Sequence, residues 1–287
     1  MRARSFQQID VFSTRTGDGN PLGVVLDAEG LQDADMQRFA TWANLSETTF
    51  LLPPTAAGRA AGADYRVRIF SPRGELPFAG HPTLGSCHAW LRTGQAPRIP
   101  GTVVQECASG LVRIRLQGDI LAFAAPPLQR SPPNPALLAL VTGALGLRPQ
   151  QVLAAQVLDN GPRWLALLLG SSETVLSLQP DPARLKDLGQ DVGVVHVAPT
   201  ASETQTPGVT VRAFADPMGN PEDPVTGSLN ASLAQWLIAE GLAPSAYLVA
   251  QGECLGRAGR VHIRQDGDGQ VWVGGRALTC IEGTALL

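Results

Sequence analysis

The chain has 287 residues, 44% of them hydrophobic and 16% charged, which excludes a disordered or coiled-coil protein. The formal net charge is −3, so there is no strong positive field that would hold nucleic acid or an anionic membrane. Four cysteines without a C-x-x-C pair exclude the common zinc and redox motifs, and no apolar leader begins the chain, so we expect a cytoplasmic protein.

The first predicted elements are a helix and a half-buried strand. The helix is expected to follow Asp33, because the apolar residues after it have helical spacing: Met36, Phe39, Ala40 and Ala43. The strand is expected where apolar residues alternate with arginines: Tyr65, Val67 and Ile69. Most other predicted elements are short strands of the same alternating type, bounded by glycine and proline.

The two halves of the sequence repeat one pattern. In the first half VRIFSP (67–72) precedes GHPTLGSCHAWL (80–91), and in the second half VRAFA (211–215) precedes TGSLNASLAQWL (226–237). QEC (105–107) and QGEC (251–254) then each lead into a predicted strand. This repeated order predicts two copies of one α+β unit.

The domain boundaries follow from a proline-rich stretch at 127–135, which can continue neither a helix nor an interior strand. We predict an N-terminal half at 1–126, a linker at 127–135 and a C-terminal half at 136–287, with the last strand free to return to the first domain. Alternating strands with few helices disfavour a doubly wound parallel sheet. Two curled, mostly antiparallel sheets, each around a central helix, agree better with the pattern.

The repeated helices begin at equivalent points, around Gly80 and Gly227. Glycine at a helix start lets a ligand approach free N–H groups at the positive end of the helix dipole. Two such starts could hold a carboxylate from both sides of a cleft, with His81 and Ser228 beside it. The alternative is that both are ordinary capped helices without a ligand.

Two carboxylates are candidates for chemistry. Glu47 lies between the first helix and an apolar strand, where it is either a general base or a solvated surface residue. Asp223 precedes the second helix start by four residues, and it either faces the same site or forms a turn before Pro224. No phosphate-binding glycine loop, nucleophile elbow or metal-ligand spacing is present, so we expect neither a metal nor a cofactor.

At these residues the sequence resembles the phenazine-biosynthesis PhzF-like family, which shares the diaminopimelate epimerase fold. The resemblance runs nearly end to end and rests on these motifs: QIDVF (8–12), GNP (19–21), NLSETTF (44–50), ELPFAGHPT (75–83), EDPVTGS (222–228), QGECLGR (251–257) and VGGRA (273–277).

The resemblance implies two duplicated, barrel-like epimerase domains with the active site in the cleft between them, and usually a homodimer. It implies that Glu47 is the acid/base residue, that His81, Asp223 and Ser228 line the substrate pocket, and that the helix starts at Gly80 and Gly227 bind a carboxylate. The chemistry it implies is proton transfer without a cofactor.

The predicted function is therefore an isomerase that shifts a double bond in a small carboxylic acid, as a trans-2,3-dihydro-3-hydroxyanthranilate isomerase does. One alternative is an epimerase or racemase acting on an amino or hydroxy acid. Related racemases use two cysteines on the helix-start loops, and neither loop here has one; Cys87 lies on the apolar stripe of its helix. The other alternative is a non-catalytic protein that binds a carboxylate metabolite.

Overall fold

The computed structural model describes residues 2–203, 206–215 and 220–287. The chain folds into two compact units, the first formed by Met1–Ala124 and Gly274–Leu287 and the second by Ala125–Val273. The last strand lies with the first unit, as the expected boundaries allowed. They differ at the stretch 127–135, which belongs to the second unit, where part of it forms a strand.

The first unit has nine strands and three α-helices among its described residues. The strands are β1 (Ala3–Val11), β2 (Asn20–Val25), β3 (Glu47–Leu52), β4 (Tyr65–Ser71), β5 (Gly74–Leu76), β6 (Thr102–Cys107), β7 (Gly110–Gln117), β8 (Ile120–Ala124) and β18 (Ala277–Leu286). The helices are α1 (Asp33–Ala43), α2 (Ala56–Ala60) and α3 (Gly80–Arg92).

Most strand pairs of the first unit are antiparallel. β18 pairs with β1, β1 with β2, β3 with β4, β4 with β5, β6 with β7 and β7 with β8 in this way, whereas β2–β3 and β4–β6 are parallel. Helix α3 packs against β1, β2, β3, β4, β6, β8 and β18. The sheet of this unit therefore surrounds α3.

Helix α1 and strand β4 lie where their sequence patterns predict them. Met36 and Ala40 are the buried residues of α1, and the alternating residues of β4 are buried as expected. The helix ends at Asn44, whose φ of 52° is left-handed, a conformation that asparagine tolerates better than most residues. The chain then turns and begins β3 at Glu47.

The second unit has the remaining nine strands and four α-helices of the described residues. The strands are β9 (Gln129–Ser131), β10 (Val152–Asp159), β11 (Arg163–Leu169), β12 (Asp191–Val197), β13 (Val209–Ala215), β14 (Asn220–Asp223), β15 (Ala246–Gln251), β16 (Gly259–Gln265) and β17 (Val271–Gly275), whose end crosses the unit boundary. The helices are α4 (Pro135–Ala144), α5 (Ser172–Ser177), α6 (Pro182–Leu188) and α7 (Gly227–Ala239). Short 3₁₀ turns occupy Pro149–Gln151 and Glu253–Leu255.

The sheet of the second unit is also mostly antiparallel. β9–β10, β10–β11, β12–β13, β13–β14 and β15–β16 are antiparallel, and β11–β12 and β13–β15 are parallel. One face packs residues of β11, β12 and β13 against α4, α5 and α6. Helix α7 lies on the other face, where Leu229 covers Gly193 of β12. The chain is thus a mixed fold of strands and helices, and no described helix has the length and apolar character that a membrane span requires.

Replacement by alanine should have opposite effects on stability at two helical glycines. A Cβ on Gly85 of α3 would lie 2.5 Å from Leu22 Cδ2 and 3.0 Å from Val11 Cγ2, whereas one on Gly143 of α4 would meet nothing within 4 Å. Overpacking should make Gly85→Ala lower the free energy of unfolding by about 1–3 kcal/mol. Gly143→Ala should raise it by about 0.5–1 kcal/mol, because alanine favours a helix. Urea unfolding of both variants tests this, and stabilisation by Gly85→Ala would contradict the close packing.

Candidate functional site

Glu47 is held at the start of β3, the strand that pairs in parallel with β2. It lies in register with Leu22 of β2, and its side chain is 12% exposed. Two residues further along β3, Thr49 accepts a hydrogen bond from Ser86 of α3 at 2.9 Å. Since alternate residues of a strand share one face, Glu47 lies on the face covered by α3.

His81 is the partner of Glu47 from helix α3. Its Nε2 lies 3.4 Å from Glu47 Oε2, and the imidazole is buried in the first helical turn. The ring also hydrogen-bonds the backbone of Pro21, and because proline has no N–H the acceptor is its carbonyl oxygen. Within the described residues Nε2 has no hydrogen-bond partner, so Nδ1 is the nitrogen that donates to Pro21.

The contact between these two side chains is not an ion pair at neutral pH. Burial lowers the pKa of His81 to about 3, and the bond to Pro21 only partly opposes this. The imidazole is therefore neutral, with its proton on Nδ1 and the lone pair of Nε2 facing the Glu47 carboxyl. A lone pair in that position can accept a hydrogen bond from a protonated carboxyl, so it supports the protonated form of Glu47.

A series of hydrogen bonds between buried polar groups fixes the first turn of α3. Tyr65 donates to Gln105 Oε1 at 2.8 Å, Gln105 Nε2 donates to Thr83 Oγ1 at 3.0 Å, and the Thr83 hydroxyl donates to the carbonyl of Ala79 at 2.9 Å. Ala79, the residue before Gly80, offers no side-chain cap to the helix. Backbone N–H groups at such a start can bind an anion.

In the second unit, Asp223 belongs to a buried network at the start of α7. The Thr226 hydroxyl donates to Asp223 Oδ2 at 2.6 Å, and Gln251 Nε2 donates to Thr226 Oγ1 at 2.8 Å and to the Asp223 carbonyl at 3.1 Å. Gln251 Oε1 in turn accepts from Asn230 Nδ2 at 2.8 Å and from the Thr226 N–H at 3.1 Å. This network fixes Asp223 next to Gly227, the first residue of α7.

Ser228 is oriented by Asn160, in the turn between β10 and β11, and by Trp164 of β11. The indole N–H of the buried Trp164 donates to Ser228 Oγ at 3.3 Å, and Asn160 Nδ2 donates to the Ser228 carbonyl at 3.1 Å. Because Trp164 can only donate, the Ser228 hydroxyl proton points away from it. Thr226 gives α7 no side-chain cap, so this helix start also offers donors to a ligand.

The structure thus joins Glu47 and His81 beside Gly80 in the first unit, and it groups Asp223, Gly227 and Ser228 at the start of α7 in the second. Sequence reasoning missed the residues that support these groups: Gln105, Thr83, Gln251, Asn230, Asn160 and Trp164. The signal that could have found two of them is the glutamine shared by QEC and QGEC. Cys87 is fully buried and its thiol pKa is raised by burial, in agreement with its predicted place in the core.

Known proteins resemble the chain over its whole length. Residues 9–283 match the family described as phenazine biosynthesis-like protein. The chain is 34% identical to antisense-enhancing sequence 1 of Schizosaccharomyces pombe, with 100% of each covered. It is 33% identical to the trans-2,3-dihydro-3-hydroxyanthranilate isomerase of Pseudomonas aeruginosa, with 97% of this chain and 98% of the relative covered.

A solved structure has the same fold. The Bacillus anthracis phenazine biosynthesis protein of the PhzF family superposes with a TM-score of 0.83 at 22% identity, and both chains are covered completely. The match over residues 9–283 and the relatives at 33–34% identity confirm the family that the sequence motifs indicate. The chain belongs to the phenazine biosynthesis-like, or PhzF, family, and it is an isomerase.

Proposed function

We propose that the chain is a cofactor-independent isomerase that shifts a double bond in a small carboxylic acid by proton transfer through Glu47. The observation that carries this proposal is the contact of Glu47 with a buried, neutral His81. An acid/base carboxyl must be stable both with and without its proton. The lone pair of His81 Nε2 supports the protonated form, and the exposed part of Glu47 supports the ionised one.

In the proposed reaction the ionised Glu47 removes a proton from an allylic carbon of the substrate. The electron pair of the broken C–H bond becomes part of a new double bond, and negative charge spreads toward the substrate carboxylate. The protonated Glu47, held by His81, then returns the proton to another carbon, so that only the double bond has moved. Positioning of this kind can contribute about 7–11 kcal/mol to catalysis at most.

We propose that the substrate is bound by several hydrogen-bond donors and by one carboxylate that accepts hydrogen bonds. The N–H groups at Gly80 and Gly227 and the Ser228 hydroxyl bind the substrate's carboxylate, while Asp223 accepts from a hydroxyl or amino group. Trans-2,3-dihydro-3-hydroxyanthranilate, the substrate in the name of one relative, carries all three of these groups and is our candidate.

We also propose that the two units are copies of one ancestral domain. The support is the order of their strand pairs: β1–β2, β2–β3, β3–β4, β4–β5, β4–β6 and β6–β7 have the same directions as β10–β11, β11–β12, β12–β13, β13–β14, β13–β15 and β15–β16. In each series a 13-residue helix follows the fifth strand.

Replacement of Glu47 by Gln should greatly slow proton exchange without abolishing binding. Glutamine keeps the size of the side chain but cannot take up a proton, so deuterium incorporation from D₂O into the substrate should fall by about 10²–10⁴-fold. NMR of the candidate substrate, and of a panel of unsaturated and amino carboxylic acids, measures this incorporation. Glu29→Gln, which removes an exposed carboxylate from the same unit, should exchange like the wild type.

The site of exchange separates the proposed function from its alternatives. Incorporation at an allylic carbon supports the double-bond shift, whereas incorporation only at the α carbon of an amino acid would favour an epimerase. Binding without any exchange in the wild type would refute the isomerase proposal for these compounds and would favour a metabolite-binding protein.

The neutral state of His81 makes a separate prediction for stability. The pKa of this histidine falls from 6.5 to about 3 in the folded state, so below pH 6.5 the unfolded chain binds a proton that the folded chain does not. Between these values His81 should cost about 1.4 kcal/mol of stability for each pH unit of acidification. Urea unfolding at several pH values should show a shallower loss for His81→Gln than for the wild type. Equal slopes would mean that His81 is charged in the folded protein.

A further inference from the structure

Asp191, to which neither the sequence motifs nor the proposed function gives a role, lies beside the first turn of α7. It is the first residue of β12 and is in parallel register with Trp164 of β11, whose indole N–H donates to Ser228 Oγ. Register partners share a face of the sheet. Two residues along β12, a Cβ on Gly193 would lie 2.5 Å from Leu229 Cδ1 of α7. Both observations place the Asp191 side chain on the α7 face.

The same arrangement surrounds Glu47 in the first unit. Glu47 is the first residue of β3 and is in parallel register with Leu22 of β2. Leu22 faces α3, because a Cβ on Gly85 of that helix would lie 2.5 Å from Leu22 Cδ2. Asp191 therefore occupies, within its own unit, the position that Glu47 occupies in the other.

The carboxyl group of Asp191 has no structural partner in the described part of the chain. Its Oδ1 is shielded from solvent and makes no hydrogen bond. The nearby amide of Gln190 donates instead to the main-chain oxygens of Arg163 and Asp191 itself. An unpaired buried acceptor destabilises the folded state, and more strongly when it is charged, so this carboxyl is a cost to stability.

Burial favours the protonated form of this group. It raises the pKa of Asp191 to about 6 and is the only cause of the shift. Besides Asp191, the ionisable side chains on β12 and on the strands and α5 packed against it are His196, Arg163, Arg212 and Glu173, and Asp223 lies on the α7 face. Helix α6, which packs on the opposite face of β12, adds Arg184, Lys186 and Asp187, and all three are exposed. Arg212 is paired with Glu222 and bonded to main-chain oxygens of the α5 side, Asp223 is bonded by Thr226, and α7 carries no ionisable residue.

Apart from the Asp223 carboxylate, which accepts from Thr226, the groups around the start of α7 are hydrogen-bond donors when Asp191 is protonated. The Ser228 hydroxyl points its proton away from Trp164, and the first N–H groups of the helix lack a side-chain cap. An ionised Asp191 would repel an anion at this place, whereas a protonated one would donate to it.

We propose that Asp191 is a further substrate-binding residue, whose protonated carboxyl donates a hydrogen bond to the substrate's carboxylate at the start of α7. This inference rests on the proposed function, because it takes Gly227 and Ser228 as carboxylate-binding residues. Substrate binding therefore requires a proton on Asp191. At low pH the free protein already holds this proton, and at high pH Asp191 must take it up from solution when the substrate binds.

The test measures the affinity of 3-hydroxyanthranilate, a stable aromatic carboxylate with the substituents of the candidate substrate, by calorimetry between pH 6 and 9. In the wild type the dissociation constant should rise by about tenfold for each pH unit above the pKa of Asp191. Asp191→Asn has a permanent N–H donor, so its affinity should match that of the wild type at pH 6 and stay constant to pH 9.

Two controls make the result specific to Asp191. Asp187→Asn makes the same charge change at an exposed position of the second unit, and it should keep the pH dependence of the wild type. Ser228→Ala should weaken binding by the same factor at every pH while keeping the slope, which shows that the probe binds at this helix start. Thermal unfolding of each variant verifies that it is folded.

Three results would overturn the inference: a wild-type affinity that does not change with pH, a wild-type slope that persists in Asp191→Asn, or no binding of the probe to the wild type at pH 6. The proposed function is judged separately, by deuterium exchange in the wild type and in Glu47→Gln. A pH-independent affinity together with Glu47-dependent exchange would remove the role of Asp191 alone.

Discussion

The burial of one uncharged imidazole is the constraint on which the proposed chemistry of Glu47 depends. His81 has its Nδ1 proton fixed by the carbonyl of Pro21 on β2, and its Nε2 faces Glu47 on β3. Helix α3, which carries His81, is enclosed by strands of the same unit. If the enclosure were looser, water would hydrate the ring, and a charged imidazole would favour the ionised form of Glu47 instead of the protonated one.

Sequence patterns predict the elements of this fold much better than they predict its contacts. The helical spacing after Asp33 and the alternation in β4 depend on local geometry, so α1 and β4 are found where they are expected. The motifs name Glu47 and His81, and the structure adds that the two side chains are in contact. Asp191 could not be identified from the sequence, because its position beside α7 depends on the register of β11 with β12 and on which face of the sheet α7 covers.

The two helix starts are supported by the same type of residue. Gln105 on β6 bonds Thr83 of α3, and Gln251 on β15 bonds Asn230 of α7. Both glutamines are buried, and each holds the first turn of its helix by side-chain hydrogen bonds. Such a network makes a helix start rigid before a ligand arrives, so less conformational entropy is lost on binding.

The pairing of β18 with β1 has a consequence for the order in which the chain folds. The second unit is one continuous segment, Ala125–Val273, so all of its strand pairs can form as soon as that segment has left the ribosome. The first unit needs residues from both ends of the sequence, and Gln7 must find Glu282 across nearly the whole length of the chain. Pairings of such large sequence separation form slowly. The unit that carries Glu47 and His81 is therefore completed last, after the polypeptide between its two parts has already become compact.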